Sequence, residues 1–313
     1  MVIKMAILNK SELPEISIKY PAVAMDSLYG TTFSVDLKRT QGVLHYLLNF
    51  VLGTLTGGTT PAWTVSASNP LITHIKIEAE NETILSLDSQ IIELINNLVG
   101  LTSNGLTFQV DMTDKDIKTN EIFIETLLKS YNFTSLKMYI TVAPLSAVTS
   151  GSPTGSTGTQ LLMQEQDIER SLVTFPTYLV KKLQNSLSLP LTGENIITNA
   201  LAQTGAYKSV LLFASTGNSY ATASDSLISS VKLTINNQFV KLDEYWALIK
   251  AKNQSLYHYP MPTGYAFLDF MKSNNTVNML HLSNVNAIKS IELAFTTTVS
   301  NGAVSVIVIE YMG

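Results

Sequence analysis

Residues 71–88 read LITHIKIEAENETILSLD, and residues 227–243 read LISSVKLTINNQFVKLD. With one residue of slippage, Leu71, Ile72, Lys76 and Asn81 meet Leu227, Ile228, Lys232 and Asn237, and Leu87-Asp88 meets Leu242-Asp243. Apolar and polar residues mostly alternate in both. Ile75, Ile77 and Ala79 oppose Lys76, Glu78 and Glu80, and Val231, Leu233 and Ile235 oppose Lys232, Thr234 and Asn236. Successive side chains of a strand point to opposite faces, so a period of two with one polar face predicts a half-buried antiparallel strand.

Outward from this stretch the similarity continues in order. GLTFQVDM (105–112) resembles GYAFLDFM (264–271), and FTSLKMYITV (133–142) resembles IKSIELAFTT (288–297). Nearer the front, Tyr20-Pro21 parallels Phe175-Pro176, and Phe33 to Leu37 parallels Leu187 to Leu191. Ordered matches at lags of 154 to 159 residues read as an internal duplication. Further strands are expected around 16–20, 33–38, 106–111, 136–142, 209–213, 265–270, 290–297 and 303–311. Many short strands separated by Gly, Ser, Thr and Asn indicate a sandwich or barrel.

Each copy also holds one helix in the same place. SQIIELINNLVG follows Asp88, with Ile91, Ile92, Ile95 and Leu98 at helical spacing. EYWALIKAK follows Asp243, with Tyr245, Trp246 and Ile249 likewise. Asp is a good N-cap, so Asp88 and Asp243 are expected to cap these helices. A second helical stretch is expected over roughly 39–51, with a counterpart near 193–202. LSAVTSGSPTGSTGTQ (145–160) has the composition of a flexible linker. The expected organisation is an N-terminal sandwich over 1–145, a linker over 146–162 and a C-terminal sandwich over 163–313. Residues 53–70 and 214–226 read as long loops at one end of each.

Composition narrows the function. Of 313 residues 45% are hydrophobic and only 14% charged, while Ser, Thr and Asn together number 87. So apolar a chain is not disordered. Its uncharged polar surface suits strands, turns and protein–protein packing. A net charge of −4 without any run of Lys or Arg argues against direct nucleic-acid binding, which needs clustered cations. The absence of cysteine excludes disulfides, Cys-ligated metals and thiol catalysis. Only four apolar residues follow Lys4 before Asn9, too few for a signal-peptide core. The longest apolar-dominated run, Val43 to Leu55, is interrupted by His45 and Asn49 and is too short to span a bilayer.

No residue set signals catalysis. His45, His74, His258 and His281 are scattered, without the paired histidines on one strand that a metal-binding double sandwich of the cupin type needs. GTLTGGTT (53–60) lacks the Lys-Ser/Thr ending of a phosphate loop and runs into Pro61. No Gly-x-Ser-x-Gly nucleophile elbow occurs. Asp111 and Asp269 are equivalent positions of the two copies, not a paired-carboxylate site. The Asn-x-Ser/Thr matches at Asn81, Asn132, Asn253 and Asn274 are what so Asn- and Thr-rich a chain yields by chance. Aromatic residues do not interleave with basic ones, so no base-stacking platform is evident. No catalytic, cofactor-binding or metal-binding residue is assigned, and the chain is expected not to be an enzyme.

Tandem sandwiches with helices after the paired Leu-Asp elements (87–98 and 242–251) resemble the double jelly-roll major capsid proteins of the adenovirus-hexon lineage. They are most like those of small, lipid-containing icosahedral phages. PMPTGYAFLDFM (260–271), LHLSNVNAIKSIELAF (280–295) and GAVSVIVIEYM (302–312) carry the same resemblance. It implies an all-β tandem double jelly roll, two eight-stranded antiparallel sandwiches each with a short inserted helix. The implied role is a bacteriophage-type virion shell assembled in the host cytoplasm from homotrimeric, pseudo-hexameric capsomers. Neighbouring capsomers and vertex or minor capsid proteins are the implied partners. An internal membrane would lie beneath, with Met1, Ile3, Met5 and Ile7 reaching inward and Lys4 and Lys10 near headgroups. A secreted or surface two-domain carbohydrate-binding or adhesin module is the alternative.

Overall fold

In a computed structural model the chain is described over residues 15–98, 104–113, 127–168, 178–198, 201, 206–217, 220–236, 238–270, 280–281 and 290–312. It divides into two units, with the break between Leu179 and Val180.

Unit 1 holds β1 (Glu15–Lys19), β2 (Val23–Ala24), β3 (Thr32–Asp36), β4 (Gly42–Val51), β5 (Thr54–Thr56), β6 (Ala62–Trp63), β7 (Ile72–Ala79) and β8 (Glu82–Asp88). Helix α1 (Ser89–Leu98) follows, then β9 (Thr107–Asp111), β10 (Leu128–Lys129), β11 (Leu136–Val142), β12 (Thr149–Ser150), β13 (Gly155–Thr157) and β14 (Gln160–Ile168). One sheet runs β1-β14-β4-β9 and the other β3-β11-β7-β8, all antiparallel. Their inward residues interleave: Leu44, Tyr46, Leu48 and Phe50 of β4 and Phe108 and Val110 of β9 from one side, Ile75 and Ile77 of β7 and Met138 and Ile140 of β11 from the other.

Unit 2 holds β15 (Tyr178–Leu189), β16 (Gly193–Thr198), β17 (Ala206–Ser215), β18 (Ile228–Ile235), β19 (Phe239–Tyr245), α2 (Trp246–Tyr257), β20 (Tyr265–Asp269), β21 (Leu280–His281), β22 (Ile291–Thr297) and β23 (Gly302–Met312). Its sheets run β15-β23-β17-β20 and β16-β22-β18-β19. Val210 and Leu212, Val304 and Val306, Val231 and Leu233, and Leu293 and Phe295 fill its core.

The two orders are the same. Taking β1, β3, β4, β7, β8, β9, β11 and β14 as strands one to eight, one sheet reads 1-8-3-6 and the other 2-7-4-5. Unit 2 repeats this with β15, β16, β17, β18, β19, β20, β22 and β23. This is the jelly-roll order, and the helix falls between the fifth and sixth strands in both. The duplication thus extends to topology.

Several expectations are corrected. Residues 146–162 are not a linker: they hold β12, β13 and the start of β14, which lies between β1 and β4. The first unit therefore needs this segment to complete its sheet, and the boundary moves to Leu179. Gly, Ser and Thr are here the residues of tight ribbons, not of slack chain. The helices expected over 39–51 and 193–202 are the strands β4 and β16. In β4 apolar Leu47 and Val51 on the outer face, and Val43 buried at a register shift, obscure the period-two burial of Leu44, Tyr46, Leu48 and Phe50. Leu187 to Leu191 covers the end of β15, the counterpart of β1, and the two residues after it, so its match to Phe33–Leu37 at β3 is not structural. Phe175-Pro176 lies outside the described residues. Asp243 sits within β19, and the cap of α2 is Tyr245, without a side-chain bond. Asp88, by contrast, stands directly before α1 where the cap was expected, with its carboxylate on His74 Nδ1 at 2.7 Å.

Each helix closes a sheet edge with an asparagine. Among the described residues, strand β20 pairs through β17 alone, and β9 through β4 alone. On the open side of β20, Asn253 Nδ2 donates to the Phe267 carbonyl at 3.0 Å and the Phe267 N–H donates to Asn253 Oδ1 at 2.7 Å. At the corresponding place in unit 1, Asn96 Nδ2 donates to the Gln109 carbonyl at 2.9 Å. A buried backbone group without a partner costs about 1–3 kcal/mol. Asn253→Ala, which strands two such groups at once, is expected to destabilise unit 2 by about 2–4 kcal/mol. Urea denaturation of the wild type and the variant measures it, and a change below 0.5 kcal/mol, roughly the level of a neutral surface substitution, would contradict the clamp.

Candidate functional site

The residues weighed for chemistry are not brought together within either unit. His45 lies on β4, His258 has a left-handed backbone at the end of α2, and His281 lies on β21. His74 on β7 is held by Asp88 and, through Nε2, by Ser86 at 3.1 Å, an outward-facing strand pair. Among the described residues no three His, Cys, Asp or Glu side chains form a metal-holding group. Asp111 and Asp269 end the equivalent strands β9 and β20. Gln109 Nε2 donates to the first at 3.0 Å and the Tyr257 hydroxyl to the second at 3.2 Å. Of the Asn-x-Ser/Thr positions, Asn253 is buried in its clamp and closed to a glycan. Asn81 shapes the β7–β8 turn with a φ of 73°. Asn274 lies outside the described residues.

The Gly-rich stretch 53–60 is part of a folded arm. β5 pairs with β13 and β6 with β12, so the excursions after β4 and before β14 form two short ribbons. Asp26 latches the arm, accepting Ser156 Oγ at 2.8 Å and the backbone N–H groups of Gly158 and Thr159 at 3.0 and 3.1 Å. The Gly158 bond first, then Ser156, holds its carboxyl below the usual range. The arm's aromatics are engaged: Trp63 Nε1 donates to the Gly53 carbonyl at 3.0 Å, and Tyr29 shares a 2.7 Å hydrogen bond with Ser156. A sugar-stacking platform would present such rings free.

Inside unit 1 sits an acidic cluster that sequence reasoning missed. Glu165 and Asp167 occupy alternate positions of β14 and point inward with Leu161 and Met163, fully buried. Tyr46, opposite Glu165 in the β4 register, is buried as well. The Tyr20 hydroxyl donates to Glu165 Oε2 and accepts the Lys38 N–H at 2.8 Å. Glu165 and Asp167 lie beside each other as an interacting pair, and the buried Tyr46 hydroxyl has no hydrogen-bond partner among the described residues. Burial, reinforced by the neighbouring Glu165, pushes Asp167 up to about 8. Burial also raises Glu165, outweighing the Tyr20 bond that favours its anion, and it raises both tyrosines. The pair therefore holds a proton at neutral pH. The available signal was QEQDI (164–168), where the alternation of β14 puts acids on the core face.

Unit 2 has a second polar node. Asp225, just before β18, receives Lys250 Nζ at 2.7 and 2.6 Å, Trp246 Nε1 at 3.0 Å and the Gly264 N–H at 2.9 Å. Burial works against its charge, but these donors prevail and hold it below the usual range. Beside it opens a cavity of about 430 Å³, lined among others by Ile228, Trp246, Ala247, Ala251 and Met261. The node fixes α2 to the loops before β18 and β20. Asp225 and Lys250 are both satisfied there, which fits a structural brace and not a reactive centre.

No family model matches the sequence, and no curated protein sequence matches it. Solved structures do. The chain is similar to the major capsid protein of bacteriophage PM2, with a TM-score of 0.70 and 14% identity over 96% of this chain and 97% of that one. It is also similar to the major capsid protein of Sulfolobus turreted icosahedral virus, at 0.66 and 15% over 95% and 96%. A third likeness is to the capsid of the virus PBCV-1, at 0.63 and 12% over 99% and 96%. At such identities the likeness establishes the fold: a double jelly roll of the kind found in viral major capsid proteins, over the full chain.

Proposed function

We propose that this chain is the major capsid protein of an icosahedral virus and assembles as trimers. The observation that carries the reading is the repeated strand order: one chain supplies two jelly rolls of identical topology, and full-length relatives in fold are capsid proteins. Three such chains around one axis present six near-equivalent sandwiches, a six-sided block that tiles a surface. Closed cyclic symmetry is the usual way identical chains associate. A chain with only 14% charged residues lowers the desolvation cost of packing such blocks side by side.

The same reading places an internal membrane between shell and genome, because a net charge of −4 does not neutralise packed phosphates. Residues 1–14, which would face that membrane, lie outside the described residues. Among those described, no helix is long and apolar enough to cross a bilayer. The engaged rings of Tyr29 and Trp63 give the carbohydrate-binding alternative no support.

The test is mass and symmetry. Light scattering on chains released from particles under mild conditions is expected to give three times the 34.2 kDa of one chain. A chain that stays monomeric at every concentration, or forms a two-fold dimer, would overturn the capsomer reading.

A further inference from the structure

Unit 2 leaves one strand position open that unit 1 does not. Strand β19 ends the order β16-β22-β18-β19, so one of its edges is unpaired among the described residues. Its Phe239, Val240 and Tyr245 are 66%, 52% and 72% exposed, and on α2, which follows directly, Leu248 and Leu256 are each 47% exposed. The cavity of about 430 Å³ opens on the adjoining row of α2, at Ala247 and Ala251. Apolar side chains, an open edge and a hollow thus occur on the neighbouring elements β19 and α2 of unit 2.

Strand β8 occupies the same place in the same topology, and there Ile84, Leu85 and Leu87 are at most 2% exposed. Leu85 and Leu87 face Ile77 and Ile75 of β7, and Ile84 is the extra residue at the register shift beside them, so the apolar residues of β8 are all buried. One chain therefore contains two versions of one structural position, its apolar residues buried in unit 1 and exposed in unit 2.

We propose that the open side of β19 and α2 seats a second copy of this chain. The inference rests on the capsomer reading and names the surface by which one protomer meets the next. A copy fits better than other occupants. The charges of β19, Lys241 and Asp243, cancel, and Glu244 is paired with Lys252 of α2 at 2.7 Å, so the strip selects neither phosphate nor a basic partner. Exposed edges are a liability that proteins cover or blunt, and here the duplicated strand shows that this position is built to be covered. The contact is heterologous: β19 of one protomer meets a different surface of the next. A contact of that kind closes into a ring when its rotation permits.

Two substitutions test it. Because Phe239 and Tyr245 are mostly exposed within the chain, Phe239→Glu with Tyr245→Glu is expected to leave the far-UV circular dichroism unchanged, and the melting temperature unchanged at dilutions where both proteins are monomeric. Trimer association is expected to weaken about 100-fold or more, since central aromatic anchors carry much of an interface's energy. Val51→Glu with Leu162→Glu, at exposed apolar positions of unit 1, serves as the control and is expected to keep the wild-type mass. Should the first variant misfold, hydrogen exchange on the wild type decides: amides 239–245 are expected to be protected in the trimer and to lose protection on dilution to monomer. A trimeric, folded double variant, or exchange there that ignores dilution, overturns this surface and leaves the capsomer reading intact. A wild-type chain that is monomeric throughout overturns the capsomer reading and this surface with it. Equal trimerisation but lost binding to phosphatidylglycerol–phosphatidylethanolamine vesicles would reassign the surface to lipid and overturn the proposal.

Discussion

Melting the protein across pH is expected to show stability falling as pH rises from about 4 to about 8, and Asp167→Asn is expected to flatten that fall. Asp167 ionises near 3.8 when solvated and near 8 in the folded chain, where burial and the neighbouring Glu165 oppose its charge. A carboxyl raised on folding binds its proton more tightly in the native state. Its contribution is therefore complete below the unfolded value and is lost as pH climbs through the folded one. Glu165 is raised too and acts with the same sign. Above pH 8 the pair is forced towards two like charges inside unit 1. Tyr46 faces them from β4 and Tyr20 from the end of β1. Lys38, after β3, is the cation that eases both acids. The asparagine variant has no proton to lose at that position, so it should match the wild type near pH 5 and exceed it near pH 9 by a few kcal/mol, on the order expected for a shift of several pH units. Asp26, Glu78, Glu80 and Asp225 are lowered and act oppositely, lending stability that disappears below about pH 4. The wild-type profile should accordingly peak in mildly acidic solution. Thermal melts of both proteins from pH 3 to 9 check it. Parallel profiles would mean that Asp167 is ionised throughout.

What the sequence made legible was whatever repeats with period two or occurs twice. The strands of 71–88 and 227–243 stand out because one face is wet and the other buried. The helices after β8 and β19 stand out because the period changes. Strand β4 escaped because Val43, Leu47 and Val51 break the alternation of its inner and outer faces, and an apolar run read alone does not distinguish a strand from a helix. Strand β14 escaped for the reverse reason: Glu165 and Asp167 put acids where the pattern wants a core, and the Gly/Ser/Thr stretch before it has a linker's composition. The Asn96 and Asn253 clamps leave no periodic trace, since a single side chain meeting a strand edge is a tertiary event. The acidic pair was visible only as two letters until the register with Tyr46 gave them a place.

Gly105 and Gly264 are the repeat's least replaceable matched pair, and alanine at either is expected to destabilise its own unit by about 3 kcal/mol or more. They opened the matched segments GLTFQVDM and GYAFLDFM, and the structure gives the reason for the match. Each starts the approach to the sixth strand of its jelly roll with a left-handed backbone, at φ 78° and 81°. Each also lies against a carbonyl: a Cβ on Gly105 would sit 2.2 Å from the Ser66 oxygen, and one on Gly264 2.6 Å from the Ala214 oxygen. Those contacts are fixed by pairing, since the Leu71 N–H donates to the Gly105 carbonyl at 3.2 Å and the Ala214 N–H to the Gly264 carbonyl at 2.7 Å. The chain cannot move aside without breaking the ladder. Two costs therefore add: about 1–2 kcal/mol for a side chain in left-handed geometry, and about 1–3 kcal/mol for overpacking. Gly158 and Gly193 separate the two. Both have positive φ, 83° and 102°, but a Cβ there meets nothing within 4 Å. Alanine at these positions should cost only the backbone strain, about 1 kcal/mol. For a chain of this size each kcal/mol lowers the melting temperature by about 2–4 °C. Gly105→Ala and Gly264→Ala should thus melt several degrees below Gly158→Ala and Gly193→Ala. Four equal melting temperatures would show that conformation alone, and not the approach of the facing carbonyl, requires glycine there.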